Sequence, residues 1–286
     1  MATRLIASLA GAVLCAEAAA AEGALRHLGS GRIADRDAGF AEPSGLALAA
    51  GGRGFWSVSD DAPRIVALGP DGALAQARAL ETGVADLEGV AEDARRGRLL
   101  TVAEDAAEIV VIDLASGTVE RAPLAALAGY EAVAAAFRDG DPNDGLEGIT
   151  AHSETGSVFV VKERGPRLLL ELTPDLRRIR GALELSAEIG FVDDETADGR
   201  LDVSGLAVDQ RRGGLWIVSD TGGRAFLLDL ETLTARGWPL LRSDKPGAKR
   251  IRNAEGVALS ADGAVLHVVT DDGKKSRLHR YAVEID

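Results

Sequence analysis

Ser44-Gly45-Leu46-Ala47-Leu48-Ala49-Ala50-Gly51-Gly52-Arg53-Gly54-Phe55-Trp56-Ser57-Val58-Ser59-Asp60 reads as two apolar runs around a glycine turn, ending on an acid fifteen residues past its first glycine. The same frame returns four times. It starts at Glu88-Gly89, Glu147-Gly148, Ser204-Gly205 and Glu255-Gly256 and ends at Glu104, Glu163, Asp220 and Asp271. Successive glycines are 44, 59, 57 and 51 residues apart, in or just above the roughly 40–50 residues of a propeller blade. Short apolar runs separated by Gly, Pro and Asp turns mark an all-β repeat.

Downstream of each frame the pattern continues. Arg64–Leu68 suits a third strand, Gly69-Pro70-Asp71-Gly72 a turn, and Ala73 to Leu80 an outer fourth strand. The fifth copy stops after three strands, so the segment Ala24 to Ile33 is expected to supply the missing one and close the ring. The expectation is a five-bladed β-propeller of four-stranded antiparallel blades. Two stretches interrupt it. Pro123 to Arg138 has Leu124, Leu127, Tyr130, Val133 and Phe137 at helical spacing, which predicts a short helix between blades two and three. Ala187 to Arg200 is an acidic insertion between blades three and four. Both precede an inner strand and should decorate one face.

The N-terminus predicts export. Arg4, the apolar run Leu5 to Ala16 and the small residues Ala19-Ala20-Ala21 read as a signal peptide over 1–21, leaving 22–286 as one domain. The run is too short to span a membrane. Cys15, the only cysteine, would leave with the signal, so no disulfide or cysteine-bound metal is expected. A lipoprotein signal is the rival, although Leu14 stands where that signal wants a small residue. A formal charge of −13 disfavours nucleic acid and anionic lipid and favours cations.

The repeat also places the acids. Antiparallel pairing about the first turn sets Ser44 opposite Ser59, with Asp60 next, and likewise in the other copies. Inner strands line a propeller's channel, so Ser44, Glu88, Glu147, Ser204 and Glu255 should ring one mouth. Asp60, Glu104, Glu163, Asp220 and Asp271 should form a second ring nearby. Three converging glutamates repel one another unless a cation sits among them. An all-oxygen set suits calcium, with Asp86, Asp202 and Asn253 available to complete the shell of Glu88, Glu147 and Glu255. The competing reading has these acids hydrogen-bonding loop N–H groups and locking blades. Asp139-Gly140-Asp141-Pro142-Asn143-Asp144-Gly145 matches a calcium loop only in part: its glycine comes one residue late and Thr150 replaces the final Glu. Lys162 stands where the other copies have Ser59, Ala103, Ser219 and Thr270, as a salt-bridge partner or a contact for an anionic ligand. No nucleophile elbow, phosphate loop or dinucleotide motif occurs, and His152, His267 and His279 read as structural.

The ordered strings Asp86-Leu-Glu-Gly-Val-Ala, Gly145-Leu-Glu-Gly-Ile, Asp202-Val-Ser-Gly-Leu and Asn253-Ala-Glu-Gly-Val-Ala resemble the SdiA-regulated family of bacterial envelope proteins. Lys162-Glu163-Arg164-Gly165-Pro166 is similar to that family's Lys-Glu-Lys-Asn-Pro segment with two changes, and Val218-Ser219-Asp220 also matches. The resemblance implies a five-bladed propeller distantly related to NHL repeats, with bound calcium and no established activity. The expected function is an exported calcium-binding interaction module, periplasmic or secreted. The alternative is a calcium-dependent hydrolase of ester, lactone or phosphoester substrates, similar in architecture to phytase-like esterases and gluconolactonases. In that case Glu163 or Asp220 would act as base, and Lys162 would hold an anionic substrate.

Overall fold

The computed structural model describes residues 23–33, 40, 42–74, 79–138 and 144–285. The expected signal peptide, with Cys15, and residues 139–143 of the calcium-like loop lie outside these. Five antiparallel four-stranded sheets form the blades. Blade one is β2 (Pro43–Leu48), β3 (Phe55–Ser59), β4 (Ala62–Leu68) and β5 (Leu80–Glu81). Blade two is β6 (Leu87–Asp93), β7 (Arg98–Ala103), β8 (Glu108–Asp113) and β9 (Val119–Pro123). Blade three is β10 (Leu146–Ala151), β11 (Val158–Lys162), β12 (Leu168–Leu172) and β13 (Ile179–Glu184). Blade four is β14 (Leu206–Asp209), β15 (Gly214–Ser219), β16 (Arg224–Asp229) and β17 (Ala235–Pro239). In blade five β18 (Ala254–Leu259), β19 (Val265–Thr270) and β20 (Arg277–Glu284) are completed by β1 (Ala24–Arg32) from the other end of the chain. Ala24 pairs with Glu284, the closure the truncated fifth repeat predicts.

Five apolar clusters hold the ring together, one at each junction between neighbouring blades. Trp56, Val58 and Ile65 of blade one meet Val90, Leu99 and Val110 of blade two. Further clusters join blades two and three, three and four, and four and five. The last seats Phe55 and Val66 of blade one against Val269 and Leu278 of blade five. Blades therefore have no private core. Each sheet buries both faces against its neighbours, which is why inner and middle strands such as β11 (Val-Phe-Val-Val-Lys) read as continuous rather than alternating apolar runs.

The repeated glycines explain how the inner strands meet. A Cβ on Gly45 would lie 2.7 Å from the Glu88 carbonyl oxygen, and one on Gly89 would lie 2.6 Å from Ile149 N. Gly148 faces Ser204 O at 2.6 Å, Gly205 faces Glu255 O at 2.3 Å, and Gly256 faces Leu46 N at 2.5 Å. Each glycine thus abuts the same position in the next blade, and the chain of contacts closes on itself. Only a residue without a side chain permits that backbone approach.

The register differs from the expected one by a single residue. Pro43, not Ser44, stands opposite Ser59, and the register then shifts before Gly45. Leu87 opposite Ala103, Leu146 opposite Lys162 and Ala254 opposite Thr270 precede equivalent shifts. Ser44, Glu88, Glu147 and Glu255 therefore occupy β-bulges. A bulge puts extra backbone into one strand and re-aims its side chain, a device that counting residues from the turn cannot detect.

The first insertion is less regular than one helix. After Pro123 it forms 3-10 turns at Leu124–Ala126 and Tyr130–Ala132, separated by Gly129 at φ 94°, and only then α1, Ala134–Arg138. Leu124, Leu127 and Val133 still pack into the junction between blades two and three, as their spacing predicts. The second insertion carries 3-10 turns at Ala187–Ile189 and Asp198–Arg200. Between them Asp193, with its side chain fully buried, accepts hydrogen bonds from Arg224 and Arg250, both at 2.7 Å.

Candidate metal centre at the channel mouth

Ser44, Glu88, Glu147, Ser204 and Glu255 line one cavity of about 210 Å³, together with Asp60, Glu163, Arg164, Asp202, Asp220 and Asp271. The five copies of the repeat thus bring their ring residues to a common mouth. Ser44, Glu88 and Ser204 are buried, and Glu147 and Glu255 are half-buried. Ser204 Oγ donates to the Ala254 carbonyl at 2.6 Å, tying blade four to blade five.

Carboxylates in this position resist ionisation. Burial, then the charges of Asp60, Glu104 and Asp86, push Glu88 up to about 8. Glu147 is raised well above the ordinary range by burial and by Glu88, Glu255, Glu104 and Glu163. Glu255 is raised likewise by burial and by Asp220 and Glu88. Burial also lifts Glu163 to about 8, Glu104 to about 7 and Asp220 to about 6. A group of acids that cannot all ionise together is a group that a divalent ion would relieve.

Carboxylate oxygens of Glu104, Glu147 and Glu163 lie within 4.8 Å of one another, as do those of Asp86, Glu88 and Glu104. Oxygens on opposite sides of a calcium ion are about 4.6–5.2 Å apart, so the spacing and the all-oxygen donor set both fit that ion. Neither triad holds all three ring glutamates. One group joins Glu147 to second-ring acids of its own and the preceding blade, and the other joins Glu88 to Asp86 and Glu104 of its own blade. Glu104 and Glu163 therefore belong in the candidate set, although the repeat marked them only as second-ring acids.

The remaining expected ligands separate. Asp202 lines the cavity, but its Oδ1 accepts from Ser219 Oγ at 2.7 Å and both its oxygens accept from Thr221 N. Asp86 adopts φ 59° and accepts from Asp105 N at 2.7 Å. Asn253, at φ 53°, donates Nδ2 to the Asp271 carbonyl at 2.5 Å and does not line the cavity. Blade-locking also accounts for part of the second ring: Glu104 Oε1 accepts from Gly145 N of the next blade at 2.9 Å.

The structure places Lys162 away from the mouth. It is buried, and its Nζ donates to the carbonyls of Asp144, at 2.5 Å, and Arg164 while lying over the Phe137 ring. It makes no ion pair among the described residues and does not line the mouth. Arg164 does line it, 2.6 Å from Asp144 Oδ1 and 3.3 Å from Glu163. An arginine in a loop outside the repeat frame carried no periodic signal.

The fold and the mouth together define a five-bladed propeller with an acidic pore. The SdiA-regulated family model matches residues 37–271, and the chain belongs to that family. Among solved structures it is similar to the glutaminyl cyclase of Myxococcus xanthus, at 14% identity and TM-score 0.62, over 94% of this chain and 100% of that one. It is also similar to a chain of a nidogen/laminin complex, at 14% identity and TM-score 0.52, over 80% of this chain and 73% of that one. A streptogramin B lyase matches at 13% identity and TM-score 0.51, over 90% and 98% of the two chains. At such identities the likeness is one of fold.

Proposed function

We propose that this propeller is an exported, calcium-binding interaction module of the cell envelope, its cation held at the acidic mouth. The observation carrying the proposal is the convergence of Glu88, Glu147 and Glu255 on one cavity, with Glu104 and Glu163 oxygens within ion-sharing distance of Glu147. Bound there, calcium would neutralise the crowded carboxylates and fix the bulges of neighbouring blades against each other. Asp202 contributes charge more than ligand atoms, since Ser219 Oγ and Thr221 N already occupy its oxygens, whereas Asp86 gives one oxygen to Asp105 N and stands with Glu88 and Glu104. The signal-like pattern over residues 1–21 supports export, to the periplasm or beyond. Among the described residues no helix is long and apolar enough to cross a membrane. Calorimetric titration of metal-free protein with calcium tests the reading. We expect a saturable heat and an upward thermal shift, and neither at millimolar calcium would refute it.

A second reading has one observation in its favour. Glu163 and Asp220 line the mouth with carboxyls lifted to about 8 and about 6, the range of a general base at neutral pH. A metal-dependent hydrolase would use one of them, with Arg164 rather than Lys162 facing an anionic substrate. Cyclase and lyase relatives of the fold are compatible with chemistry on such a scaffold. Turnover of ester, lactone or phosphoester substrates that is abolished by chelator would establish it, and an inactive panel would dismiss it.

A further inference from the structure

We propose that the cleft between blades four and five binds an oxyanion, the phosphate or carboxylate group of a small ligand. The protein carries −13 overall, yet residues 240–252 hold five basic side chains (Arg242, Lys245, Lys249, Arg250, Arg252) against one acid, Asp244. These residues form a two-stranded arm: Arg242 N donates to Lys249 O at 2.9 Å, Ile251 N donates to Leu240 O at 2.7 Å, and Leu241 bridges Arg250. The arm walls a cleft of about 990 Å³, lined by Arg242, Lys249, Arg250 and Arg252 and, on the facing side, by Thr221, Gly222 and Gly223. Asp194 and Glu195 also line it, and both are paired with Arg250. That volume suits a small molecule, whereas the neighbouring mouth cavity suits an ion with its waters.

The cations are not equivalent. Arg250 is neutralised by Asp193 and Asp194 at 2.7 and 2.6 Å and donates to the Gly222 carbonyl at 2.9 Å, which fastens the arm to blade four. Arg242, Lys249 and Arg252 form no ion pair among the described residues, and all three are exposed. Arg242 Nε donates to the Arg250 carbonyl at 3.0 Å. This bond orients its guanidinium and leaves the two terminal nitrogens as a fork for two oxygens of one anion. Asp220 lines both this cleft and the mouth. A ligand seated here would therefore stand beside the proposed cation, a further step that rests on the metal reading.

The test is inorganic phosphate, and separately acetate, titrated into metal-free protein at constant ionic strength and followed by calorimetry. Wild type should bind phosphate or acetate with millimolar affinity. Arg242→Gln/Lys249→Gln/Arg252→Gln should weaken that binding at least tenfold. Lys274→Gln/Lys275→Gln, exposed lysines that do not line the cleft, should leave it unchanged. Phosphate binding alone assigns a phosphate-bearing ligand, and acetate binding alone a carboxylate. Absence of both, or equal weakening in the two variants, overturns the site. Thermal melts check that each variant is folded. Because calcium is absent, a failed anion titration leaves the metal reading intact, and a failed calcium titration of the same protein leaves the cleft intact.

Discussion

Glu147 meets carboxylates from blades two, three and five, and its behaviour decides how the mouth responds to pH. In Glu88 and Glu163 the folded-state value rises from 4.5 to about 8. The native state therefore holds protons that the unfolded chain has released, and stability falls as pH climbs across that window. Metal-free protein should show its melting temperature declining between about pH 5 and 8, and saturating calcium should flatten the slope. An unchanged slope in calcium would argue against these carboxylates as ligands. Glu88→Gln/Glu147→Gln/Glu255→Gln should melt higher than wild type without metal, with the gain growing toward pH 8, and should lose the calcium shift. Asp193 has the opposite sign. Burial alone would raise it, but hydrogen bonds from Arg224 and Arg250 hold it below the ordinary 3.8. Its contribution is present above that value and lost on acidification. Asp193→Asn should cost up to about 3 kcal/mol in urea denaturation at pH 7. A loss under about 0.5 kcal/mol, the scale of an ordinary surface change, would mean the pair only decorates the surface. None of this network was legible beforehand, because Asp193 finds partners 31 and 57 residues away outside the repeated frame.

At the scale of the element, the inner strand was half readable. Its apolar run, its glycine and its paired acid recur in the chain, and they put Glu88, Glu147 and Glu255 at one mouth. The bulge was invisible, because it changes pairing without changing composition. The reason for the glycine was equally hidden, since the group it accommodates belongs to another blade. Gly148→Ala would force a methyl to 2.6 Å from the Ser204 carbonyl oxygen. It should destabilise by about 1–3 kcal/mol, the range for overpacking. Gly199→Ala has nothing within 4 Å of the added carbon and should stay within about 0.5 kcal/mol of wild type. Equal effects at the two positions would remove inter-blade contact as the reason for the repeated glycine.

For the whole molecule, blade number and closure could be read from five frames and a truncated last repeat, because a ring needs every blade filled. The fine structure of the insertions could not. Gly129 interrupts an otherwise helical spacing, and the surface of blades two and three supplies the packing that a longer helix would have provided itself. Deleting residues 23–32 would strip β20 of its outer partner, leaving it paired only with β19, and expose its edge. Such a chain should self-associate in light scattering, and a monodisperse product would mean that β1 is dispensable. The pairing of Ala24 with Glu284 also brings the start and finish of the folded body side by side. A short linker joining them, with new ends cut at the exposed turn around Gly213, would give a circularly permuted protein with the same ring. Fusion partners or surface anchors attached at either end of the folded body would emerge from a single corner of blade five.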